Sequence, residues 1–504
     1  MTIDSTHPDY QAHIDLWTLC RDSHAGQNAV KAKGLAYLPA TEGMYLEGML
    51  TGQNGLRRYQ AYLRRAVFPE VMKDTVDILV GILNRKPPSI QLPEAMEPLR
   101  DKATILGESL VDLLRKIHEQ QLVTGRMGLH VDVPQDPVQI PSILPLLSTY
   151  TAESVINWDD GEAGDPTKQN LNIVVLDETE NVRDGLEWKT ERKYRVLVLG
   201  EFAENESAGT YSSGMFMEDE TFDVSATQPV LLRGQTLGEI PFVFIGPHDI
   251  DINVDLPPLL GLANRSMSIY LGEADLRHAL FMTGQETLVT IGNTLTEDIQ
   301  IGPGARIAMQ EGGDAKFIGV DSRGIQFQLN NLGEDYQIAN ALSARLVQRG
   351  SAVESGDALR IRVAAQTASL TSIAKASAAG MQEALRMAAR WLGVDDAGVL
   401  IEPNLDFADD PMEASELNEM LTFKQRGGVI SYRTINEIML KRDVTSRTLE
   451  EEIEEIELEE GVIPADILDK AAMSSMAPAN GGFGQPFEQP GDENENDSRS
   501  NDGE

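Results

Sequence analysis

The sequence predicts an α+β fold that is mainly helical, and three observations support this. Apolar residues recur at helical spacing over most of residues 8–130 and again beyond residue 257. Residues 125–246 shift toward a period of two, with β-branched and aromatic segments between Gly, Pro and Asp clusters. With 504 residues, 41% hydrophobic and 24% charged, the chain is long enough for several domains or layers.

The helices and strands of the first half are marked by their flanking residues. Residues 69–84 begin at Pro69, which suits a first helical turn, and end before Pro87-Pro88, since proline disfavours a helical conformation in the residue that precedes it. Residues 106–122 repeat this amphipathic pattern, and we interpret both helices as core-facing. Four strands are predicted at 129–133, 171–177, 193–202 and 240–246.

The middle of the chain predicts a helix, a compact β excursion and a helix that returns. Pro257-Pro258 opens a helical stretch over 257–281, which at 1.5 Å per residue reaches roughly 36 Å. The turn-rich residues that follow contain brief strands such as those at 286–291 and 305–309, and helix returns at 328–349. The three pieces form one predicted unit.

The last third is predicted to be helical before it loses all pattern. A loop rich in Gly and charge at 350–360 precedes an alanine-rich helix at 361–392, whose small residues allow another element or subunit to approach closely. Two or three further helices follow within 411–460, and the last of these, 449–460, is strongly acidic. Residues 473–504 lack periodicity and are predicted to be disordered.

Charge and cysteine content exclude several classes of protein. The chain has 80 acidic and 42 basic residues, a net charge of −38, so a protein that grips nucleic acid through many basic contacts is disfavoured. Cys20 is the single cysteine, which rules out an internal disulfide framework and a cysteine-based zinc site. The N-terminus does not resemble a secretory signal, and no apolar run approaches the roughly 20 residues of a membrane span, so we expect a cytosolic product.

Motifs of catalysis and metal binding are incomplete, and we expect neither an enzyme nor a cofactor. The sequence lacks a phosphate-binding loop, a dinucleotide fingerprint and a nucleophile elbow. His118-Glu119 begins like a zinc-peptidase helix, but Leu122 stands where the second histidine belongs. The acids of residues 249–255 suggest a calcium loop without its glycine and its final glutamate, so an edge strand is favoured over a metal site there.

A local basic cluster leaves three interpretations open. Arg57-Arg58 and Arg64-Arg65 flank aromatic residues, and at a spacing of seven, Arg57 shares a helix face with Arg64, as Arg58 does with Arg65. The cluster predicts a phosphate-facing patch, a solvated helix surface, or a site for a carboxylate of a neighbouring subunit. The acidity of the chain favours the last two.

Several segments together resemble the portal proteins of tailed bacteriophages. The resemblance keeps the same order over about residues 30–460 and includes residues 427–431 with the acidic helix that follows them. Its other segments are Arg65–Pro69 with the helix end at Val76–Pro88, Gly125–Asp132, Tyr150–Trp158 and Asp255–Leu260.

The resemblance implies a dodecameric ring at one capsid vertex of the virion, assembled in the host cytoplasm, with a central channel for double-stranded DNA packaging and ejection. In that scheme the chain has a wing (1–256), two stem helices (257–281 and 328–349), a clip (282–327), a tunnel loop (350–360), a long wing helix (361–410), a crown (411–472) and the acidic tail (473–504).

The same resemblance implies partners and two sets of site residues. The partners are other copies of the chain, the large terminase subunit, a head–tail adaptor protein, the major capsid protein and scaffold, and DNA in the channel, with no membrane. Residues expected at the channel are Arg349, Glu354, Asp357, Arg360 and Arg362, with Glu334 and Asp335 nearby. Residues expected to bind partners on the clip are Glu297, Asp298, Glu311, Asp314 and Lys316. Another capsid, scaffold or tail component remains the alternative, and an acidic hydrolase with an unfamiliar site is a more distant one.

Overall fold

Helices provide most of the regular structure, and the last of the described strands ends at Glu402. The computed structural model describes residues 2–133, 144–159, 171–200, 209–218, 220–283, 287–291, 313–318, 323–347, 356–407, 414–441, 444–445 and 447–460. Residues 1–407 form one compact unit and residues 408–504 a second. The α+β, mainly helical class predicted from the sequence is confirmed.

Nine α-helices are described in the first unit, and local sequence explains where several of them begin. The ring of His7 caps α1 at its first turn, next to Pro8, and Ser109 forms a reciprocal capping box with Asp112 at the start of α6. The nine are α1 Pro8–Ala25, α2 Gln27–Ala32, α3 Glu42–Leu46, α4 Asn54–Arg65, α5 Val71–Leu83, α6 Leu110–Val123, α7 Leu260–Thr283, α8 Arg323–Val347 and α9 Gly356–Leu392.

The described strands pair in antiparallel fashion throughout. They are β1 Ser89–Gln91, β2 Met127–Asp132, β3 Leu146–Thr151, β4 Val155–Asp159, β5 Ile173–Asp177, β6 Glu180–Asp184, β7 Glu187–Glu191, β8 Lys193–Leu199, β9 Tyr211–Met217, β10 Gln228–Pro229, β11 Phe242–Ile245, β12 Thr287–Ile291, β13 Asp314–Ile318 and β14 Leu400–Glu402. Their sheet orders are β11-β2-β3, β10-β9-β8-β5-β4, β1-β14, β6-β7 and β12-β13.

The main core lies where α6 and α9 meet the three-stranded sheet. Gly380 of α9 faces Ile245 so closely that an added Cβ would lie 2.5 Å from Cγ1 of Ile245. Ala378 and Ala384 are buried beside it. The small residues of the alanine-rich helix therefore serve close approach to another element of the same chain, one of the two roles predicted for them.

A stack of rings joins the N-terminus to both larger sheets. His7 stacks on Trp158 of β4 with ring centroids 4.1 Å apart. The guanidinium of Arg126 lies 4.3 Å from the centroid of Trp158 and 4.0 Å from that of Phe244 in β11. Because Arg126 is buried, its pKa is lowered to about 9. The contacts are of the cation–π type, which is stronger where water is excluded.

Two predicted boundaries differ from the structure. Residues 249–255 form no strand; the chain there is irregular, and the carboxylate of Asp251 accepts hydrogen bonds from the backbone of Ile252 and the side chain of Asn253. These local bonds of Asp and Asn side chains compete with a sheet ladder, which is why the edge-strand prediction was wrong. The long helix α9 begins at Gly356, inside the predicted loop.

The second unit is helical over its described residues. It contains α10 Ala414–Gln425, α11 Tyr432–Lys441 and α12 Leu449–Glu460. The side-chain oxygen of Ser431 accepts a hydrogen bond from the backbone N–H of Thr434 and so caps the start of α11. The predicted disordered tail, residues 473–504, lies outside the described residues.

Candidate functional site

The candidate site is the pair α7 and α8, which pack along each other. The guanidinium of Arg265 lies 2.7 Å from the carboxylate of Asp335. The hydroxyl of Tyr336 donates to Glu273 over 3.2 Å. Gly272 lets the helices approach, because an added Cβ would lie 3.3 Å from Leu332. Side chains of both helices also share one buried cluster that includes Ile269 and Ala339.

The two helices run antiparallel and are joined at one end by a two-stranded ribbon. β12 begins four residues after α7 ends, β13 ends five residues before α8 begins, and the pairing of Thr287 with Ile318 brings these ends together. The opposite ends of the helices are held by the body of the first unit. The sequence-based prediction of a helix, a β excursion and a returning helix is borne out for the described residues.

Neighbouring helices brace the pair near its middle and its body end. Tyr62 of α4 donates a hydrogen bond of 2.6 Å to Asp275 of α7, and its pKa is raised by burial and by this carboxylate. The hydroxyls of Thr75 in α5 and Ser343 in α8 lie 2.7 Å apart. Burial, with the nearby Glu273 carboxylate, also raises the pKa of Tyr336 to about 12.

The five predicted channel residues lie in or shortly after residues 348–355, which are outside the described residues. Arg349 and Glu354 lie outside the described residues. Asp357, Arg360 and Arg362 lie in the first two turns of α9, where the backbone is described and the side chains are not. Glu334 is exposed on α8, while Asp335 forms the ion pair with Arg265 of the same chain and is 15% exposed.

Two of the five predicted clip residues are described, and they contact each other. Asp314 and Lys316 lie on β13 at positions i and i+2, on the same side of the strand. Their carboxylate and ammonium groups are 2.7 Å apart, and both side chains are exposed. Glu297, Asp298 and Glu311 lie outside the described residues, as does the predicted strand at 305–309.

The basic cluster of α4 divides into two faces with different surroundings. Arg58 forms an ion pair with Glu47, and the guanidinium of Arg65 lies 3.9 Å above the ring of Phe281. Arg57 and Arg64 are exposed and form no ion pair with any described residue. The two faces that a spacing of seven predicted therefore exist, and the face with Arg57 and Arg64 is the accessible one.

His118, singled out from the sequence, is a buried structural link. Its Nε2 lies 2.8 Å from the hydroxyl of Ser377 in α9, and its Nδ1 lies 3.3 Å from Oδ1 of Asn84. Burial lowers the pKa of His118 to about 4. Within the described ranges no three His, Cys, Asp or Glu side chains are grouped as metal ligands. None of the described helices combines the length and the apolar character that a membrane span needs.

Large apolar side chains remain uncovered along the helix pair. Phe281 and Met282 at the end of α7 are 62% and 52% exposed, and Phe327 and Leu329 on α8 are 78% and 49% exposed. Exposed apolar residues gathered on one element mark an interaction surface. Sequence reasoning assigned residues 328–349 to a helix but did not identify these outward residues, since an apolar side chain on an interface follows the same spacing as one in a core.

The β6–β7 ribbon was not predicted, although its sequence contains a hairpin pattern. Asp184-Gly185 stands between two short alternating segments, which is the usual pattern of a tight hairpin. Gly185 has a φ of +65°, a conformation that favours glycine. The ribbon ends in exposed Leu186 and Trp188.

Comparisons with known proteins find one family model that matches the helix pair and several solved structures with similar chains. The model of a domain of unknown function, DUF4055, matches residues 258–392, which contain α7, the β12–β13 ribbon, α8 and α9. No curated protein matches the chain.

Among solved structures, the chain is similar to one in the virion of a native gene transfer agent particle, with 12% identity, a TM-score of 0.39, and coverage of 75% of this chain and 92% of that one. It is also similar to chains in the neck of the empty particle (13% identity, TM-score 0.37, 76% and 92% covered) and of the native particle computed with C12 symmetry (13%, 0.37, 73% and 89%).

Proposed function

We propose that this chain is a portal protein: a virion component that forms a ring at one capsid vertex, whose channel conducts double-stranded DNA during packaging and ejection. The observation that carries the proposal is the antiparallel pair α7 and α8, closed at one end by the β12–β13 ribbon. The alternative is another structural component of the virion, such as a capsid, scaffold or tail protein.

The helix pair has the dimensions and connections of a wall segment. Its helices contain 24 and 25 residues, which correspond to about 36 Å of length. Both helices enter from the body of the first unit and meet at the ribbon, so the pair is a rod with a small β element at one end. Copies of such rods side by side around an axis form a tube.

Uncovered apolar residues support the view that the rods have neighbours. Phe281, Phe327 and Leu329 are exposed in the single chain, and burying each such side chain stabilises an assembly by roughly 1.5–3 kcal/mol. In a ring, one face of each copy contacts a different face of the next, and this contact repeats until the ring closes. Every copy then has a neighbour on both sides that can bury these side chains.

The charge of the chain suits passage of DNA rather than capture. DNA carries one negative charge per about 1.7 Å of its axis, and each basic contact that replaces a counterion strengthens its binding. A chain with a net charge of −38 repels such a polymer, and twelve copies do so more strongly. We assign Arg349, Glu354, Asp357, Arg360 and Arg362 to the channel, where the acids limit DNA binding and the arginines pair with them across subunits or touch DNA.

We assign the ribbon end of the rod to partner binding. Asp314 and Lys316 are exposed there, and Glu297, Asp298 and Glu311 lie in the same segment of the sequence. The partners of this surface are the large terminase subunit during packaging and a head–tail adaptor afterwards. Substitutions Asp314→Lys and Lys316→Glu should then weaken binding of the terminase subunit, and unchanged binding would remove the assignment.

Negative-stain electron microscopy of the purified full-length chain tests the proposal. A portal protein gives rings with a central hole, and native mass spectrometry of the same sample gives the number of copies. Shells or fibres would favour the alternative virion component. Compact particles of one or two copies at every concentration would contradict both.

A further inference from the structure

The β6–β7 ribbon extends beyond the sheet from which it grows. Its pairing runs from Glu180 opposite Glu191 to Asp184 opposite Glu187. The strands on either side of β5 and β8 stop earlier, since β9 pairs with β8 only from Lys193 onward and β4 with β5 only up to Leu176. Among the described strands, none covers either edge of the ribbon.

The end of this ribbon combines apolar and acidic residues. Leu186 is 91% exposed and Trp188 is 68% exposed, and a two-stranded ribbon of this kind is at best marginally stable alone in water. Glu187 lies between them and forms no ion pair with any described residue, whereas Asp184 pairs with Lys189. An exposed tryptophan at the end of a ribbon is typical of a side chain that is buried in an assembly, because tryptophan is enriched at interfaces and among the residues that dominate binding.

A surface of complementary chemistry lies on the same unit, at α3 and α4. Leu46 and Leu50 are 80% and 81% exposed. They stand beside α4, since Glu47 forms an ion pair with Arg58 and Gly55 packs against the backbone of Met44. α4 has four arginines and no acidic residue, and Arg57 and Arg64 on its exposed face have no ion-pair partner among the described residues.

A second exposed apolar pair fits the ribbon less well. Ile105 and Leu106 are 74% and 80% exposed on the loop before α6. The loop is flanked by Asp101, Lys102 and Glu108, and Glu108 is already paired with Lys116. The unpaired carboxylate of Glu187 would meet acids as well as a base at this loop, whereas at α4 it meets two unpaired arginines and no acid of that helix.

We propose that the β6–β7 ribbon of one copy docks end-on against residues 42–65 of the next copy. Leu186 and Trp188 then cover Leu46 and Leu50, and Glu187 meets Arg57 or Arg64. The inference rests on the proposed ring, for which it supplies one contact between adjacent copies. Because the two surfaces differ and lie on one chain, the contact is head-to-tail, as a closed ring requires.

Photo-crosslinking tests the contact directly. A benzophenone amino acid replaces Trp188 in the full-length chain, and rings are assembled from equal amounts of light and ¹⁵N-labelled protein. Mass spectrometry should find crosslinks between position 188 of one isotope form and residues 42–65 of the other. Crosslinks confined to one isotope form, or to any other region of the neighbouring copy, would overturn the proposal.

Charge exchange tests the polar part of the contact. Glu187→Lys and Arg57→Glu with Arg64→Glu should each raise the protein concentration at which rings dissociate by about tenfold, the effect of losing a significant interface contact. Combining the two changes should restore assembly. Independent, additive losses in the combined variant would contradict the pairing of these residues.

Matched apolar variants distinguish a failure of this contact from a failure of the proposed ring. Trp188→Ala and Leu50→Ser should weaken rings to a similar extent without changing thermal unfolding of the single chain, since both side chains are exposed in it. Leu106→Ser, at an equally exposed leucine, should leave assembly unchanged. If the wild type forms rings and none of the ribbon variants affects them, this inference fails alone; if the wild type forms no ring, the proposed function fails.

Discussion

Arg265 of α7 and Asp335 of α8 form an ion pair of 2.7 Å that joins the two antiparallel helices of the candidate site. The carboxylate is 15% exposed and the guanidinium 34% exposed, so the pair is partly shielded from water. An ion pair in such a position is worth more than one in full solvent, because screening is weaker and the unpaired partner is left poorly hydrated.

The first prediction concerns this pair. Asp335→Asn should lower the free energy of unfolding of the first unit by about 1–2 kcal/mol, since Arg265 loses its charged partner. Urea unfolding followed by circular dichroism measures the loss. The matched control is Arg277→Ala, which removes an ion pair with Glu273 within α7 and should cost only about 0.5 kcal/mol. Equal losses in both variants would show that the link between helices has no special role.

The second prediction concerns pH and His118. The pKa of His118 is about 4 in the folded protein, below its ordinary value of 6.5. Its contribution to stability is therefore fully present above pH 6.5 and is lost as the pH falls toward 4, because the unfolded chain takes up a proton that the folded chain resists. The full loss is on the order of 3 kcal/mol.

This prediction is tested by comparing the wild type with His118→Gln between pH 7.5 and pH 4.5. The variant is less stable at neutral pH, because His118 bonds Ser377 and Asn84 in the core. Its stability should nevertheless fall less steeply toward acid than that of the wild type. Parallel curves for the two proteins would exclude His118 as the source of the acid sensitivity.

The third prediction concerns the contact between α9 and β11. Replacing Gly by Ala inside a helix usually stabilises it by about 1 kcal/mol. Gly380→Ala should instead destabilise the chain by about 1–3 kcal/mol, because the new Cβ would lie 2.5 Å from Ile245. Gly333→Ala on α8 is the control, since nothing lies within 4 Å of its added Cβ, and it should stabilise. A gain of stability in both variants would show that the sheet containing β11 shifts to accommodate the added methyl group at little cost.

The fourth prediction concerns transport of DNA. Changing Glu354 and Asp357 together to Lys should reduce the yield of packaged DNA severalfold and leave rings intact, since added positive charge holds the passing polymer. The control changes Glu94 and Asp101, two exposed acids elsewhere, to Lys and should package normally. Wild-type yield from the Glu354 and Asp357 variant would remove these residues from the channel.

The helices were predicted well where a local signal, such as a proline pair or an alanine-rich segment, determines the backbone. Pro87-Pro88 ended α5, the alanine-rich segment became α9, and Pro257-Pro258 preceded α7. Of the alternating apolar residues, Ile250, Ile252 and Val254 pack against the main core, whereas Leu256 is 61% exposed, and none of them lies in a strand. The carboxylates of Asp249 and Asp251 accept hydrogen bonds from nearby backbone N–H groups, and a pattern of hydrophobicity does not record such bonds.

The candidate site was predicted in outline but not in its contacts. The order of helix, ribbon and helix followed from the periodicity of apolar residues. The partner of Asp335, in contrast, depends on how far α7 and α8 are shifted along each other, and the sequence of neither helix records that shift. The division of the α4 arginines into a bonded and an accessible face was visible from their spacing. Which face was accessible depended on Phe281 and Glu47, which only the tertiary structure brings near.

The stack of His7, Trp158, Arg126 and Phe244 has a consequence for biosynthesis. His7 is made before Trp158 and Phe244, yet its ring stacks on Trp158 of β4, and Arg126 links that ring to Phe244 of β11. Contacts that span so much of the chain form slowly. The segment around His7 therefore docks only after β4 has been made, and until it does, the face of Trp158 that it covers stays exposed to water.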